Sequence, residues 1–274
     1  MKLDLQKLEI EGKSLYWLGK IIDPSLPTTI FIHGFPDNAY VWEKLVSTFP
    51  QNMNVICPFM WATYDGVTVP SHHYRHSLFA FRIRELIKSL GLEKGPLYVV
   101  AHDMGGAVAG ELNKKLDVKK NFFINTFTAR QFLSHTRSLG QAIRSSYMIP
   151  MQFRLLQKIL FSPGIVRHQL LKRIYQIGGA KDVSDYLKKN EYGYMGGEVY
   201  RQIPRDFNLL AKEKAMPIIY FWGNKDYFLL PPTKEELKNF STMANIHHFN
   251  CGHWPQLTNQ VELSKIIQQE IQHE

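Results

Sequence analysis

The feature that most constrains this chain is a train of short apolar runs, most of them separated by stretches of helical length. The runs are Thr28 to Ile32 (TTIFI), Asn54 to Cys57 (NVIC), Leu97 to Ala101 (LYVVA), Phe122 to Thr126 (FFINT), Pro217 to Trp222 (PIIYFW) and Ile246 to Asn250. Strands that are apolar on both sides are covered on both faces, as in a parallel sheet flanked by helices. The helical stretches are Ala39 to Phe49, His76 to Leu90, Met104 to Leu116, Glu235 to Phe240 and Val261 to Ile271. Such alternation predicts right-handed crossovers and a mainly parallel α/β sheet. Two runs near the start, Leu5 to Ile10 and Ser14 to Leu18, flank Glu11-Gly12-Lys13 and predict an edge hairpin. The expected sheet therefore has eight strands.

The alternation fails once. From 129 to 205 no strand run occurs, and helical patches such as SSYMIPMQFRLLQKILF and IVRHQLLKRIYQIG are broken by Pro150, Pro163, Gly178 and Gly179. This predicts a helical cap, residues 129–205, inserted into a core of residues 1–128 and 206–274. The chain carries a net charge of +9, and its location matters more than its size. The insertion holds 13 Lys and Arg against 4 Asp and Glu; the remainder holds 20 against 20. No nucleic-acid-binding motif accompanies the charge, so no nucleic-acid partner is expected. A solvated basic face is the plain reading. Steering of an acidic or amphiphilic substrate is the next, and contact of IVRHQLLKRIYQI with an anionic membrane surface is the least favoured.

At 274 residues the chain buries enough surface to need no staple. No apolar run approaches the roughly 20 residues needed to cross a bilayer, and the amino-terminal stretch alternates charged with apolar residues, unlike a signal peptide. Cys57 and Cys251 allow at most one bridge, and neither has metal-ligand spacing. A cytoplasmic monomer or homodimer is expected.

Chemistry concentrates at strand ends. The run LYVVA leads into His102-Asp103-Met104-Gly105-Gly106 and then a helix. Small residues around a central one are what a sharp strand-to-helix turn requires, and such a turn projects its central side chain, here Asp103, at the carboxyl end of the sheet. His33-Gly34-Phe35-Pro36 follows TTIFI, where the N–H of Phe35 can face the same space; with the N–H of Met104 it would form an oxyanion hole. Gly223-Asn224-Lys225-Asp226 follows PIIYFW, and Cys251-Gly252-His253-Trp254-Pro255 follows the last strand. The order is a central acidic residue, a second acid and a histidine, each just after a strand.

With HGFP, AHDMGG, GNKD and CGHWP in this order, the chain resembles the α/β-hydrolase superfamily, in its epoxide hydrolase and haloalkane dehalogenase branch. The resemblance spans essentially the whole chain and is nearer to the epoxide hydrolases. It implies Asp103 as nucleophile, Asp226 and His253 completing a catalytic triad, and cap tyrosines Tyr147 and Tyr200 as donors to the epoxide oxygen. Dehalogenases of this fold place Trp after the nucleophile and either Asn after His-Gly or Trp in the cap, whereas Met104 and Phe35 stand in those places and the cap has no Trp. A carboxylate nucleophile also argues against ester substrates, because attack on an acyl group would form an anhydride, whereas attack on saturated carbon forms an ordinary ester.

The resemblance thus implies hydrolysis of an epoxide on a small hydrophobic or amphiphilic substrate, without cofactor or metal. A hydrolytic dehalogenase and a non-catalytic binding protein are the alternatives. His33, Pro36, His102 and Trp61 are the candidate substrate contacts. The segment Pro58 to Gly66 (PFMWATYDG) departs from the family's usual Asp-x-x-Gly-x-Gly-like pattern, which leaves the shape of the pocket open.

Overall fold

A computed structural model describes residues 2–10, 12–50, 52–60, 75–162, 164–180, 182–190, 200–201, 215–243 and 245–272. Its sheet comprises β1 (Asp4–Ile10), β2 (Lys13–Lys20), β3 (Thr28–Ile32), β4 (Asn54–Pro58), β5 (Leu97–His102), β6 (Val118–Ile124), β7 (Ile218–Gly223) and β8 (Asn245–Phe249). The spatial order is β1-β2-β4-β3-β5-β6-β7-β8. The hairpin β1–β2 runs antiparallel at one edge and β2 pairs antiparallel with β4; the other pairings are parallel.

Strand alternation divides the core in two. Ile30 and Ile32 of β3, Val99 and Ala101 of β5, and Tyr220 and Trp222 of β7 face one side. Phe31, Tyr98, Val100, Ile219 and Phe221 face the other. The first side is covered by α2 (His76–Ser89) and α3 (Gly105–Asn113), the second by α1 (Glu43–Ser47) and the carboxyl-terminal α11 (Gln260–Gln272). Side chains pointing alternately up and down a strand, with helices on both faces, explain why the central runs are mostly apolar.

The stretch Ala39 to Phe49, expected as one helix, is a 3-10 turn (Ala39–Trp42) leading into α1, and Asn38 caps it by accepting the Tyr40 N–H at 2.9 Å. β6 begins four residues before the run that signalled it. Lys119 and Lys120 concealed its start, and Lys120 is buried because its ammonium donates to the Glu270 carbonyl at 2.6 Å and lies 3.2 Å from that residue's carboxylate. Burying a charge is tolerable when it is both paired and hydrogen-bonded.

Between β6 and β7 stand α4 (Ala129–His135), α5 (Leu139–Arg144), 3-10 turns at Ser146–Met148 and Pro150–Gln152, α6 (Arg154–Phe161), α7 (Ile165–Ile177) and α8 (Ser184–Asn190). Thr128 and Ser138 cap α4 and α5 through their hydroxyls, as their side-chain chemistry favours. After β7 come α9 (Lys234–Phe240), with a capping box between Thr233 and Glu236, and α10 (Pro255–Thr258) before α11.

This topology places the site. From β3 one crossover leads outward to β4, whereas the chain from β5 onward proceeds in the opposite direction along the sheet. Loops leaving β3 and β5 therefore part at their carboxyl ends and open a crevice, the usual ligand position in open α/β sheets.

Candidate active site

Asp103 stands at that crevice, in the turn between β5 and α3, with a φ of +49°. A non-glycine residue in this region is held there by its surroundings. The surroundings are close-packed: a Cβ on Gly34 would strike Asp103, one on Gly105 the carbonyls of Ile32 and His33, and one on Gly106 Thr126 and Phe127. The Thr126 hydroxyl donates to the Asp103 carbonyl from below. Glycine at 34, 105 and 106 is thus a steric requirement of the turn.

The two carboxylate oxygens of Asp103 meet different partners. Oδ1 accepts the Phe35 N–H at 2.8 Å, and Oδ2 lies 3.5 Å from His253 Nε2. The opposite ring nitrogen, Nδ1, is 2.7 Å from Asp226 Oδ2. Asp226 is itself fixed: its Oδ1 accepts the N–H groups of Phe228 and Leu229 at 2.7 and 3.1 Å, and Oδ2 accepts the Asn125 amide at 2.6 Å. The three side chains named from the sequence form one hydrogen-bonded line. The Met104 N–H makes no hydrogen bond to the Asp103 carboxylate among the described contacts; Met104 heads α3 and lines the adjoining cavity.

Burial alone would disfavour an imidazolium at His253. The negative charge of Asp226, hydrogen bonds to Asp103 and Asp226 and the charge of Asp103 outweigh it, and the pKa is pushed up to about 10. Burial likewise works against the Asp103 carboxylate, but the His253 hydrogen bond and charge, with contributions from His102 and the Phe35 N–H, hold its pKa below the ordinary value. The resting site is therefore an ion pair with one carboxylate oxygen pinned.

Two cavities meet at Asp103. One, of about 70 Å³, is walled by residues including Met104, Phe127, Phe132, Met148 and Leu229; the other, of about 240 Å³, by Phe35, Met151, Phe161, Leu170, Ile174 and Trp254 among others. Asp103, Tyr147 and Phe228 border both. Tyr200, 2% exposed, borders the larger one, its ring 6.0 Å from that of Tyr147 and 4.9 Å from that of Phe35. Tyr147 thus borders both cavities together with Asp103, and Tyr200 shares the larger one with it. Enclosure of the Tyr147 hydroxyl raises its pKa first, and the nearby Asp103 charge raises it further, so the phenol stays protonated. Among the described residues no Lys or Arg lines either cavity.

Three expected substrate contacts are not in the cavities. His33 is fully buried behind the site, bonded through Nδ1 to the Gly34 carbonyl at 3.0 Å and through Nε2 to the Met60 N–H at 3.0 Å; burial lowers its pKa to about 4, which keeps it neutral. Pro36 is buried and follows Phe35 through a cis peptide. His102 is fully buried and donates from Nε2 to the His253 carbonyl at 2.8 Å. These residues shape the turns on which the site is built, and adjacency to a motif in sequence does not make a side chain face its cavity. Trp61 lies outside the described residues.

Two structural residues had not been singled out from sequence. Asn125, φ +41°, bonds Asp226 and accepts the Gly223 N–H at 2.9 Å, tying β6 to the loop that carries the second acid. Asp37, fully buried, accepts hydroxyls of Tyr175 and Tyr186 at 2.6 and 3.0 Å and the Trp254 indole at 3.1 Å, and lies 3.3 Å from His102 Nδ1. It fastens α7 and α8 to the core. Asn125 stands directly after the apolar FFI and Asp37 closes the turn HGFPD that follows TTIFI.

The alpha/beta hydrolase family matches residues 29–265, nearly the whole length. The chain belongs to that family. Epoxide hydrolase 3 of Xenopus tropicalis is 25% identical over 268 residues, covering 89% of this chain and 71% of the relative. Monoacylglycerol lipase ABHD6 of Homo sapiens is 30% identical over 259 residues, covering 88% and 74%. The crystal structure of a Bacillus megaterium epoxide hydrolase with an inhibitor superposes with a TM-score of 0.79 at 20% identity, over 96% of this chain and 98% of that one. At that identity the likeness establishes the α/β-hydrolase fold.

Proposed function

We propose that this α/β-hydrolase is an epoxide hydrolase that opens its substrate through a covalent ester on Asp103. The observation that carries the reading is the division of the Asp103 carboxylate, with Oδ1 held by the Phe35 N–H and Oδ2 left beside His253 at the junction of two apolar cavities that Tyr147 also borders. Similarity to relatives named epoxide hydrolases supports it.

Oδ2 attacks one epoxide carbon. The carbon–oxygen bond breaks, its electron pair stays on oxygen, and that oxygen takes a proton from the tyrosine pair. An alkoxide is a poor leaving group, so a positioned phenol is what separates epoxide opening from halide expulsion. The ester has no charge, so His253 loses the attraction and hydrogen bond of the Asp103 carboxylate that had raised its pKa. Its proton restores the tyrosine, and the neutral imidazole becomes a base. Water adds to Cγ of Asp103 while giving a proton to His253 Nε2, and negative charge develops on Oδ1 against the Phe35 N–H. The alkoxide departs with the hydroxyl proton of the tetrahedral centre. A diol is released, and the site again holds a carboxylate facing an imidazolium.

The human lipase relative raises ester hydrolysis as an alternative, and the chemistry of Asp103 speaks against it, because carboxylate attack on an acyl group forms an anhydride. The test is intact-protein mass spectrometry of His253→Gln after exposure to panels of epoxides and haloalkanes. An ester adduct from epoxides that maps to Asp103, and disappears in Asp103→Asn, is the expected result. Adducts from haloalkanes alone would make the protein a dehalogenase, and no adduct from any panel member would make it a binding protein.

A further inference from the structure

The outer surface of the helices over the site is apolar where a water-facing surface should not be. Ten described large apolar side chains are more than half exposed, and eight of them lie between Leu139 and Val166. Leu139 (77% exposed) and Ile143 belong to α5, Ile149 and Phe153 to the junctions flanking the second 3-10 turn, Leu155 (72%) and Ile159 to α6, and Ile165 (76%) and Val166 to α7; α5, the two turns, α6 and α7 pack each on the next. Isolated exposed leucines are ordinary; a run of them on adjoining elements is a contact surface.

Helix α6 shows that the pattern is built in. A surface helix turns apolar residues inward. Here Gln157 is buried and bonded to the Met151 carbonyl, while Leu155 and Ile159 point outward beside exposed Arg154 and Lys158. Phe161 on the opposite side of the same helix walls the larger cavity, as do Leu170 and Ile174 of α7. One pair of helices thus presents one apolar face to the cavity and another outward.

Charge identifies the occupant. Between Asp117 and Asp182 there is no acidic residue, whereas Arg137, Arg154, Lys158, Lys172 and Arg173 are exposed in that span. Exposed apolar side chains from a span that carries exposed cations and no acidic residue fit a bilayer bearing anionic headgroups: apolar side chains enter the acyl boundary, and the long cationic ones reach the phosphates. We propose that the α5–α7 surface docks this protein on anionic lipid membranes, with the cavity-walling side of the same helices turned toward the site. The proposal stands whichever substrate Asp103 attacks.

The test is flotation of the purified chain with vesicles of phosphatidylcholine alone or with about 30% phosphatidylserine, at low and high salt. Binding to the anionic vesicles about 10-fold above the neutral ones, weakening with salt, is the expected result. Leu155→Asp with Ile159→Asp should reduce it about 10-fold or more, and so should Lys158→Glu with Lys172→Glu and Arg173→Glu. Val261→Asp, at the exposed start of α11, should leave it unchanged. The far-UV circular dichroism of each variant is compared with that of the parent, and the charge variants carry the test should the apolar ones misfold. Absence of flotation with anionic vesicles would overturn the proposal. So would unchanged flotation of both variant sets, or sedimentation showing a dimer that Leu155→Asp dissociates, which would assign the surface to a second copy of this chain.

Discussion

The loops at the carboxyl edge of the sheet and the helices that cover them divide the work of the site unequally. Along the sheet edge the groups are fixed several times over: Asp226 takes three hydrogen bonds besides its contact with His253, and Asp103 packs against Gly34, accepts the Phe35 N–H and has its carbonyl bonded by Thr126. The covering helices contribute Tyr147 and Tyr200 and otherwise apolar walls, with Asp37 as the buried polar anchor between α7, α8 and the core. Reactive groups that must be aligned to fractions of an ångström sit on strands, whereas groups that enclose a substrate sit on helices that can vary. The comparison can be broken at several points.

The largest effect is expected on the sheet side. Asp226→Asn leaves the geometry and removes the charge behind His253, so kcat should fall on the order of 10⁴-fold. It should also move the pH profile. Hydrolysis of the ester needs neutral imidazole, so kcat rises with pH through the pKa of His253 in the esterified enzyme. Asp226 raises that pKa, and its neutralisation should shift the acid limb to lower pH. A limb that stays in place would show that Asp226 does not set the basicity of His253.

On the helix side, Tyr147→Phe and Tyr200→Phe should each lower the rate of ester formation, and the double variant should lose on the order of 10²- to 10⁴-fold in single-turnover epoxide opening, the range of general-acid catalysis. Haloalkane turnover, if present, should be spared. If neither variant slows the epoxide, the covering helices only enclose.

The smallest catalytic effect is expected at the anchor. Asp37→Ala strands the Trp254 indole, and a buried group left without its bond costs about 1–3 kcal/mol. Urea titration should report a loss of that order, with kcat reduced less than in either class above. Similar losses in both measurements would place Asp37 in the chemistry.

The sequence is legible where one residue type can do the job and illegible where partners are distant. Runs apolar or nearly so located β3 to β8, two shorter runs about a glycine located the β1–β2 hairpin, and the small residues around Asp103 located the turn, because close backbone approach leaves no other choice. β6 was read short because a paired Lys120 interrupts its pattern. Asn125 and Asp37 escaped because their partners lie about 100 and 140 residues away along the chain. His33 and His102 flank motif residues, yet both are fully buried, His33 bonded to Gly34 and Met60 and His102 to the His253 carbonyl, away from the cavities. The basic charge of the insertion was visible from composition; that its apolar residues face outward was not, because Leu155 and Ile159 satisfy a helical pattern equally well with either face inward.

The positive φ of Asp103 reaches beyond catalysis. Left-handed backbone favours glycine at that position by about 1–2 kcal/mol over a side-chain-bearing residue, so a chain with glycine at 103 would fold more comfortably and react with nothing. Selection for stability alone would therefore push this position away from aspartate. With Asp103 as the nucleophile proposed above, Asp103→Gly offers a route to an inert, more robust version of the scaffold for capturing the molecules that the enzyme would consume.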